Sequence, residues 1–181
     1  MRVLIDACVL YPTVMREMVL GVAAQGLFAP RWSARVLEEW ARAAGKLGAA
    51  EEVWARGEIA ALAAGFPDAL IRYDTGLERR YWLPDPNDIH VLTAAVAGSC
   101  DAILTMNAKD FPRDILEDEG LARLDPDGFL LDLWRDSPDA VRNVAEAVLA
   151  EAQRLSGADW TLRALLKKAR LPRLGKALTA E

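Results

Sequence analysis

Short apolar runs alternate along the chain with longer amphipathic stretches. The run "RVLID" at residues 2–6 is too short for a helix and is typical of a strand buried on both faces. Similar strand patterns are "ALIRYD" at 69–74, "AILT" at 102–105 and "LARL" at 121–124. Helical patterns occupy residues 13–25, 33–47, 50–64, 88–96, 138–155 and 159–169. This alternation predicts an α/β fold in three layers, with a mostly parallel central sheet and a helical C-terminal extension.

Capping and turn residues indicate where the predicted helices begin and end. Ser33 is a plausible N-cap for the second helix, and Pro67 closes the third. Asn87 or Asp88 can cap the helix that follows. Pro172 is expected to end the last helix, because proline does not continue a helical hydrogen-bond pattern.

Length and composition predict one globular domain followed by a helical C-terminal extension, with the division between residues 1–135 and 136–181. The 181-residue chain is 52% apolar, enough for one real core. No apolar run approaches the ~20 residues of a membrane span, and "MRVLIDACVL" lacks the pattern of a signal peptide. A cytoplasmic location is therefore expected. With only two cysteines, Cys8 and Cys100, buried free thiols are expected rather than a disulfide framework.

Charge is distributed unevenly along the chain. The formal net charge is −5, which argues weakly against a protein that holds nucleic acid by bulk electrostatics. Residues 160–180 nevertheless contain no acid and six basic side chains, which are Arg163, Lys167, Lys168, Arg170, Arg173 and Lys176. This tail is a candidate arm for a phosphate backbone or a partner, with Lys167, Lys168 and Arg170 as its contacts. A solvated face of an ordinary terminal helix is the competing interpretation.

Polar side chains follow the ends of several predicted elements. Asp6 ends the first strand, Asp88 opens a helix, and Asn107 and Asp110 follow the strand "AILT". In a parallel sheet these positions lie at one edge, where ligands bind in such folds. Crowded carboxylates stay ionised only when cations compensate them, so Mg²⁺ or Mn²⁺ is the expected cofactor. Such ions activate water and stabilise charge on phosphate, which fits phosphodiester hydrolysis.

A further acid is expected on the second helix, where Glu38 and Glu39 are neighbours. Val36, Leu37 and Trp40 help to form a broad apolar face at helical spacing. Glu39 lies closer to the margin of that face than Glu38, so we prefer Glu39 as the residue that reaches a cleft.

The sequence resembles the PIN-domain ribonucleases, the family that includes the VapC-type toxins of bacterial toxin–antitoxin pairs. The resemblance is carried by "VLIDACVL", "VLEEW" and "DPNDIHVLTAAVAGSCDAILTMNAKDF", in that order, and covers residues 1 to about 130. It implies a metal-dependent endoribonuclease acting on single-stranded RNA, with an antitoxin protein as a partner and a homodimer as the assembly. The abundant apolar surface expected on the helices of residues 13–64 also favours a dimer.

The same resemblance assigns candidate catalytic and metal-binding residues. It implies Asp6, Glu39 and Asp88 as the first three acids. The family often has a second aspartate after the threonine where this chain has Asn107, so either Asn107 or Asp110 would complete the metal shell. A lost carboxylate is expected to weaken binding of Mg²⁺, which depends on anionic oxygens.

Other interpretations of these residues compete with the nuclease. Asn107 is compatible with a PIN-like interaction module that has lost its fourth acid. A phosphatase of the haloacid-dehalogenase kind is disfavoured, because it needs an acid where this chain has Cys8. Asp88 alone is equally a simple N-cap, and His90 is interpreted as a packing residue. Tyr81 and Trp82 are candidates for stacking on an unpaired base.

Overall fold

The computed structural model describes residues 1–180, which form two compact units. One unit contains residues 1–11 and 29–124, and the other contains residues 12–28 with the chain from residue 125 onward. The predicted division into domains at residues 135 and 136 stays a prediction. Within residues 1–180, no helix has the length and apolar character needed to cross a bilayer.

The first unit is built on a parallel sheet of five strands in the order β3-β2-β1-β4-β5. The strands are β1 (Arg2–Ile5), β2 (Ala29–Ser33), β3 (Leu70–Ile71), β4 (Ala102–Leu104) and β5 (Ala122–Leu124). Each neighbouring pair is parallel. The predicted α/β class with a mostly parallel sheet is confirmed.

The strand order creates a switch point beside β1. The chain adds β2 and β3 on one side of β1, then crosses to add β4 and β5 on the other. Ile5 at the end of β1 pairs in register with Leu104 at the end of β4. Both residues are fully buried, as expected for strands covered on both faces. A crevice between the carboxyl ends of β1 and β4 is where ligands bind in open parallel sheets.

Ten α-helices are present within residues 1–180. They are α1 (Ala7–Leu10), α2 (Thr13–Ala24), α3 (Ala34–Gly45), α4 (Ala49–Gly65), α5 (Ile89–Ala97), α6 (Arg113–Asp118), α7 (Pro126–Asp136), α8 (Pro138–Ser156), α9 (Leu162–Lys168) and α10 (Pro172–Leu178). Two 3₁₀ helices, Thr75–Arg80 and Pro86–Asp88, precede α5. Ser33 caps α3 as predicted, since its hydroxyl accepts a hydrogen bond from the Val36 backbone N–H at 3.2 Å.

The second unit consists of α2 and α7 to α10. Its last helix corrects a prediction: α9 ends at Lys168, and Pro172 begins α10 instead of ending a helix. Proline suits the first turn, where its missing N–H removes no helical hydrogen bond. Asp127 satisfies the next two donors of α10 by accepting from the backbone N–H groups of Arg173 and Leu174, each at 2.9 Å.

Strand β2 was missed by the sequence pattern. Its segment "APRWS" contains a proline and an arginine, which are poor strand signals. It forms because β1 and β3 provide parallel partners on both sides. Strand formation here is decided by tertiary pairing rather than by local propensity.

Candidate metal centre

Asp6 lies directly after β1 and its carboxylate is held by side chains from two segments. Asp6 Oδ2 accepts a hydrogen bond from Thr105 Oγ1 at 2.7 Å and one from Cys8 Sγ at 3.0 Å. The Asp6 backbone N–H donates to Leu104 O at 3.0 Å, which continues the pairing of β1 with β4. Although Asp6 precedes α1, its side chain makes no capping hydrogen bond. The carboxylate is thus fixed at the switch point and is only 7% exposed.

The Cys8 thiol supports this arrangement as a neutral donor. Burial, and secondly the charge of Asp6, raises the pKa of Cys8 to about 12. Cys8 Sγ also accepts from the Met106 backbone N–H at 3.3 Å, and the Thr105 hydroxyl accepts from the Asn107 backbone N–H at 2.9 Å. The turn after β4 is therefore tied to the turn after β1. Cys8 and Cys100 are both free cysteines, and Cys100 is the buried one of the two.

A second carboxylate group comes from the turn before α5. Asp85 Oδ1 accepts from the Asn87 backbone N–H at 2.9 Å and from Asn87 Nδ2 at 3.0 Å, which shapes the 3₁₀ helix Pro86–Asp88. Asp88 stands at the N-cap position of α5 but makes no side-chain capping bond. Its Oδ2 instead accepts from Asn107 Nδ2 at 3.2 Å. The interpretation of Asp88 as only an N-cap does not fit this geometry.

Three carboxylates converge around Asp88. Oxygens of Asp85, Asp88 and Asp110 all lie within 4.8 Å of one another. Burial, followed by the charges of Asp6, Asp85 and Asp110, raises the pKa of Asp88 from 3.8 to about 6. A group whose negative charge is disfavoured by three neighbouring acids gains from a bound cation. These hard oxygen donors fit Mg²⁺ or Mn²⁺.

The sequence pattern did not assign Asp85 to the metal site, because an aspartate before a proline is typical of a turn. Asp85 shapes that turn and also joins the cluster with Asp88 and Asp110. The signal that could have found it is the spacing of two acids across one turn in "DPND", with Asp85 and Asp88 three residues apart. Among the predicted fourth ligands, Asp110 supplies a carboxylate to this cluster, whereas the Asn107 amide donates a hydrogen bond to Asp88.

Glu38 and Glu39 point to different partners. Glu38 bonds Arg42 and Arg56, each at 2.9 Å, and these hydrogen bonds lower its pKa to about 2. Glu39 Oε1 instead lies 2.8 Å from Nε2 of His90, which is fully buried on α5. Glu39 therefore contacts the helix that begins beside Asp88, while Glu38 links α3 to α4.

Arg35 connects Glu39 to the segments around the cluster. Its guanidinium lies 3.5 Å from Glu39 Oε1 and 3.5 Å from Glu78 Oε2, and it donates to the Asn87 carbonyl at 3.4 Å. Helix α3 and the two 3₁₀ helices thus share one cation. Glu39 is outside the group of three close carboxylates, and its predicted metal-binding role stays a prediction.

The predicted RNA contacts lie in the second unit. Lys167, Lys168 and Arg170 are exposed at the end of α9 and in the turn after it. Lys168 Nζ lies 4.8 Å from the centroid of the Trp160 ring, a cation–π distance. We name these three residues the basic arm.

Comparison with known proteins identifies the first unit. The family model described as PIN domain matches residues 2–109, which contain β1, the turn with Asp85 and Asp88, and the turn after β4. The chain belongs to the PIN domain family. The PIN model ends just before Asp110, so the third carboxylate of the cluster lies one residue beyond the matched range.

One curated relative supports a VapC-like PIN domain. Over 57 residues the chain is 44% identical to a Mycobacterium tuberculosis protein named "Putative ribonuclease VapC50". The match covers 30% of this chain and 34% of that protein, so the chain spans about a third of the length of this curated relative. No solved structure matches the chain significantly.

Proposed function

We propose that this PIN domain protein is a metal-dependent endoribonuclease that hydrolyses phosphodiester bonds of single-stranded RNA. The observation that carries the proposal is the group of three close carboxylates, Asp85, Asp88 and Asp110. Burial, and secondly the charge of Asp6, raises the pKa of Asp88 in this group. Membership of the PIN family and the similarity to a protein named as a ribonuclease support the same function. The chain needs neither a catalytic cysteine nor a histidine for this reaction.

Each acidic residue has a proposed part in the reaction. Asp6, Asp88 and Asp110 would hold Mg²⁺ or Mn²⁺, directly or through water, with Asp85 adding negative charge. When bound, such a cation lowers the pKa of an attacking water and stabilises charge on the phosphate. Thr105 orients Asp6 through its 2.7 Å hydrogen bond, leaving the other carboxylate oxygen for the cation.

Glu39 and Asn107 have supporting roles in this proposal. Glu39 would contribute negative charge from α3, and its contact with His90 fixes it against α5. Asn107 would position Asp88 through its amide donor, while Asp110 supplies the further anionic oxygen. This division favours Asp110 over Asn107 as the metal ligand, because Mg²⁺ prefers anionic oxygens.

Cleavage of a mixed RNA pool in Mg²⁺ or Mn²⁺ tests the proposal. We expect Asp6→Asn to reduce cleavage at least 100-fold, an order-of-magnitude expectation for loss of a charge that stabilises the transition state. Asp159→Asn is the matched control, because it removes the charge of an exposed loop acid in the second unit. Equal cleavage by the wild type and Asp6→Asn would contradict the proposal. No cleavage by any form across a wide range of metal concentrations would favour the interaction module instead.

We further propose that the protein is the toxin of a toxin–antitoxin pair in the cytoplasm. The VapC name of its relative supports this role. Induced expression of the wild type should arrest growth, and expression of Asp6→Asn should not. Co-expression of an antitoxin encoded beside it should restore growth. Growth arrest by both the wild type and Asp6→Asn would mean that toxicity does not depend on RNA cleavage.

The basic arm is proposed as a second contact for RNA. A carboxylate cluster repels phosphate until cations fill it, so the substrate gains from basic side chains elsewhere. The three cations of the arm are exposed and carry no ion pair to an acid within residues 1–180. Their contribution is separable from metal binding, because no residue of the arm belongs to the carboxylate cluster.

A further inference from the structure

Trp82 is an exposed aromatic residue three positions before Asp85 of the carboxylate cluster. Its exposed fraction is 67%, whereas Trp32 and Trp40 are each only 1% exposed. The next residue, Leu83, is fully buried, so the backbone at this point is anchored while the indole faces solvent. The exposed indole is therefore held on an anchored segment and is available to stack on a ligand.

Two free arginines precede this tryptophan. Arg79 and Arg80 are exposed at the end of the 3₁₀ helix Thr75–Arg80, and neither makes an ion pair with an acid of residues 1–180. The acid in the same helix, Glu78, is already engaged by Arg35 at 3.5 Å and by the Tyr73 hydroxyl at 2.9 Å. The two guanidinium groups therefore remain available for an anionic ligand.

This basic and aromatic segment is fixed relative to the cluster. Arg35 contacts both Glu78, next to Arg79, and the carbonyl of Asn87, next to Asp88. Along the chain, Trp82 is three residues from Asp85, so their Cα atoms are at most about 10 Å apart. A strand held at Trp82 would have its neighbouring phosphates near the carboxylates.

We propose that Arg79, Arg80 and Trp82 form a platform for the substrate strand, in which the indole stacks on an unpaired base and the arginines hold adjacent phosphates. We name these three residues the stacking platform. The inference rests on the proposed function. It also explains why the protein would prefer single-stranded RNA, because a base inside a duplex has no free face for the indole. Stacking on aromatic side chains and charge pairing along the backbone are the two contacts that bind single-stranded nucleic acid without sequence preference.

Equilibrium binding in an Asp6→Asn background tests the platform without cleavage of the probe. The probe is a short fluorescent oligoribonucleotide, measured beside an abasic strand of equal length. Trp82→Ala should weaken binding of the base-bearing strand roughly 5- to 150-fold, the range expected for one stacked base. Trp82→Phe should restore most of the lost affinity. Trp54→Ala is the matched control, because Trp54 is 49% exposed on α4, away from this segment of the chain.

The arginines have a different expected signature. Replacing Arg79 and Arg80 with Gln should weaken binding of both strands and reduce the slope of log K against log salt by about 1.4, at about 0.7 for each neutralised phosphate of a single strand. Trp82→Ala should leave that slope unchanged. The abasic strand should not distinguish Trp82→Ala from the wild type, because it offers no base to stack.

The outcomes separate the platform from the nuclease proposal. Wild-type affinity in Trp82→Ala, or an equal loss on the abasic strand, would overturn the platform even if the protein cleaves RNA. Loss of binding in Trp82→Ala without cleavage by the wild type would support the platform on a non-cleaving protein. The same measurement with a single-stranded DNA probe distinguishes RNA from DNA as the ligand. Tighter binding of DNA than of RNA would overturn the assignment to RNA.

Discussion

Neutralising Asp88 should stabilise the protein in the absence of metal. The pKa of Asp88 is raised to about 6 by burial and by the charges of Asp6, Asp85 and Asp110. Above that pH the folded chain therefore holds a carboxylate that its surroundings disfavour. Asp88→Asn removes the charge and keeps an oxygen that can accept the Asn107 amide. A substitution that destroys metal binding is thus expected to increase the free energy of unfolding of the metal-free protein.

The size of this effect follows from the change in pKa. A rise from 3.8 to about 6 is roughly two units, or at most about 3 kcal/mol. Asp88 is only partly buried, and solvent screens the repulsion, so we expect about 1–2 kcal/mol. For a chain of this length, that free energy corresponds to an increase in Tm of about 2–8 °C.

The pH dependence has a definite sign. Because the folded-state pKa of Asp88 is above its unfolded value, the folded chain keeps a proton that the unfolded chain releases between pH 3.8 and about 6. The contribution of Asp88 to stability is therefore greatest at low pH and declines as the pH rises through this window. The advantage of Asp88→Asn should be complete above about pH 6 and should shrink as the pH falls towards 4.

Thermal unfolding in EDTA, followed across this pH range, measures the effect. Adding Mn²⁺ should reverse the order of the two proteins, because a ligand at 100 times its Kd stabilises the wild type by about 2.7 kcal/mol. Asp159→Asn again serves as the control for loss of one exposed charge. If Asp88→Asn unfolds at or below the wild-type Tm in EDTA above about pH 7, burial and the neighbouring acids do not disfavour the Asp88 carboxylate as argued. An advantage independent of pH would also refute the reasoning.

Four further predictions concern the rest of the molecule. In chemical denaturation, Gly21→Ala should destabilise the protein by about 1–3 kcal/mol, because the added methyl would lie 2.5 Å from Val144 Cγ1. Gly57→Ala should stabilise it by up to about 1 kcal/mol, because no atom lies within 4 Å of the added methyl. Thr105→Val should destabilise the protein by about 1–3 kcal/mol and weaken Mn²⁺ binding in a titration, because it leaves the Asp6 carboxylate with only the weaker thiol donor of Cys8. Thr105→Ser should restore both the stability and the Mn²⁺ affinity. Replacing the three residues of the basic arm with Gln should reduce the slope of log K for RNA binding against log salt without changing the Mn²⁺ affinity. An unchanged slope would mean that the arm does not bind phosphate. Light scattering should show a homodimer at a protein concentration of roughly tens of micromolar, which is the range of weak association. A monomer at that concentration would contradict the predicted assembly.

Local sequence signals predicted most of the regular elements. Apart from Arg2, the segments of β1 and β4 are apolar, and their apolar residues are buried in the middle of the sheet. Ser33 is a capping residue in sequence and in structure, because its hydroxyl reaches a donor three residues away. Such signals predict helices and strands because their physical causes act between residues that are close in sequence.

Elements that depend on partners distant in sequence were not predicted from local signals. Strand β2 has weak propensity and exists because β1 and β3 flank it. Pro172 was expected to end a helix, but it begins α10, whose first donors are satisfied by Asp127 from α7. In both cases a stabilising partner is far away in sequence, so local propensity alone did not indicate the element.

For the candidate site, the sequence by itself determined the inventory of acids and the edge of the sheet on which they would gather. Asp6, Asp88 and Asp110 follow from the ends of elements and from the parallel arrangement of strands. Only the tertiary structure decided that Asp85 joins the cluster and that Thr105 fixes Asp6. The physical reason is that a pattern of residues specifies where a side chain leaves the backbone, whereas contacts of a few ångströms depend on how separate segments pack.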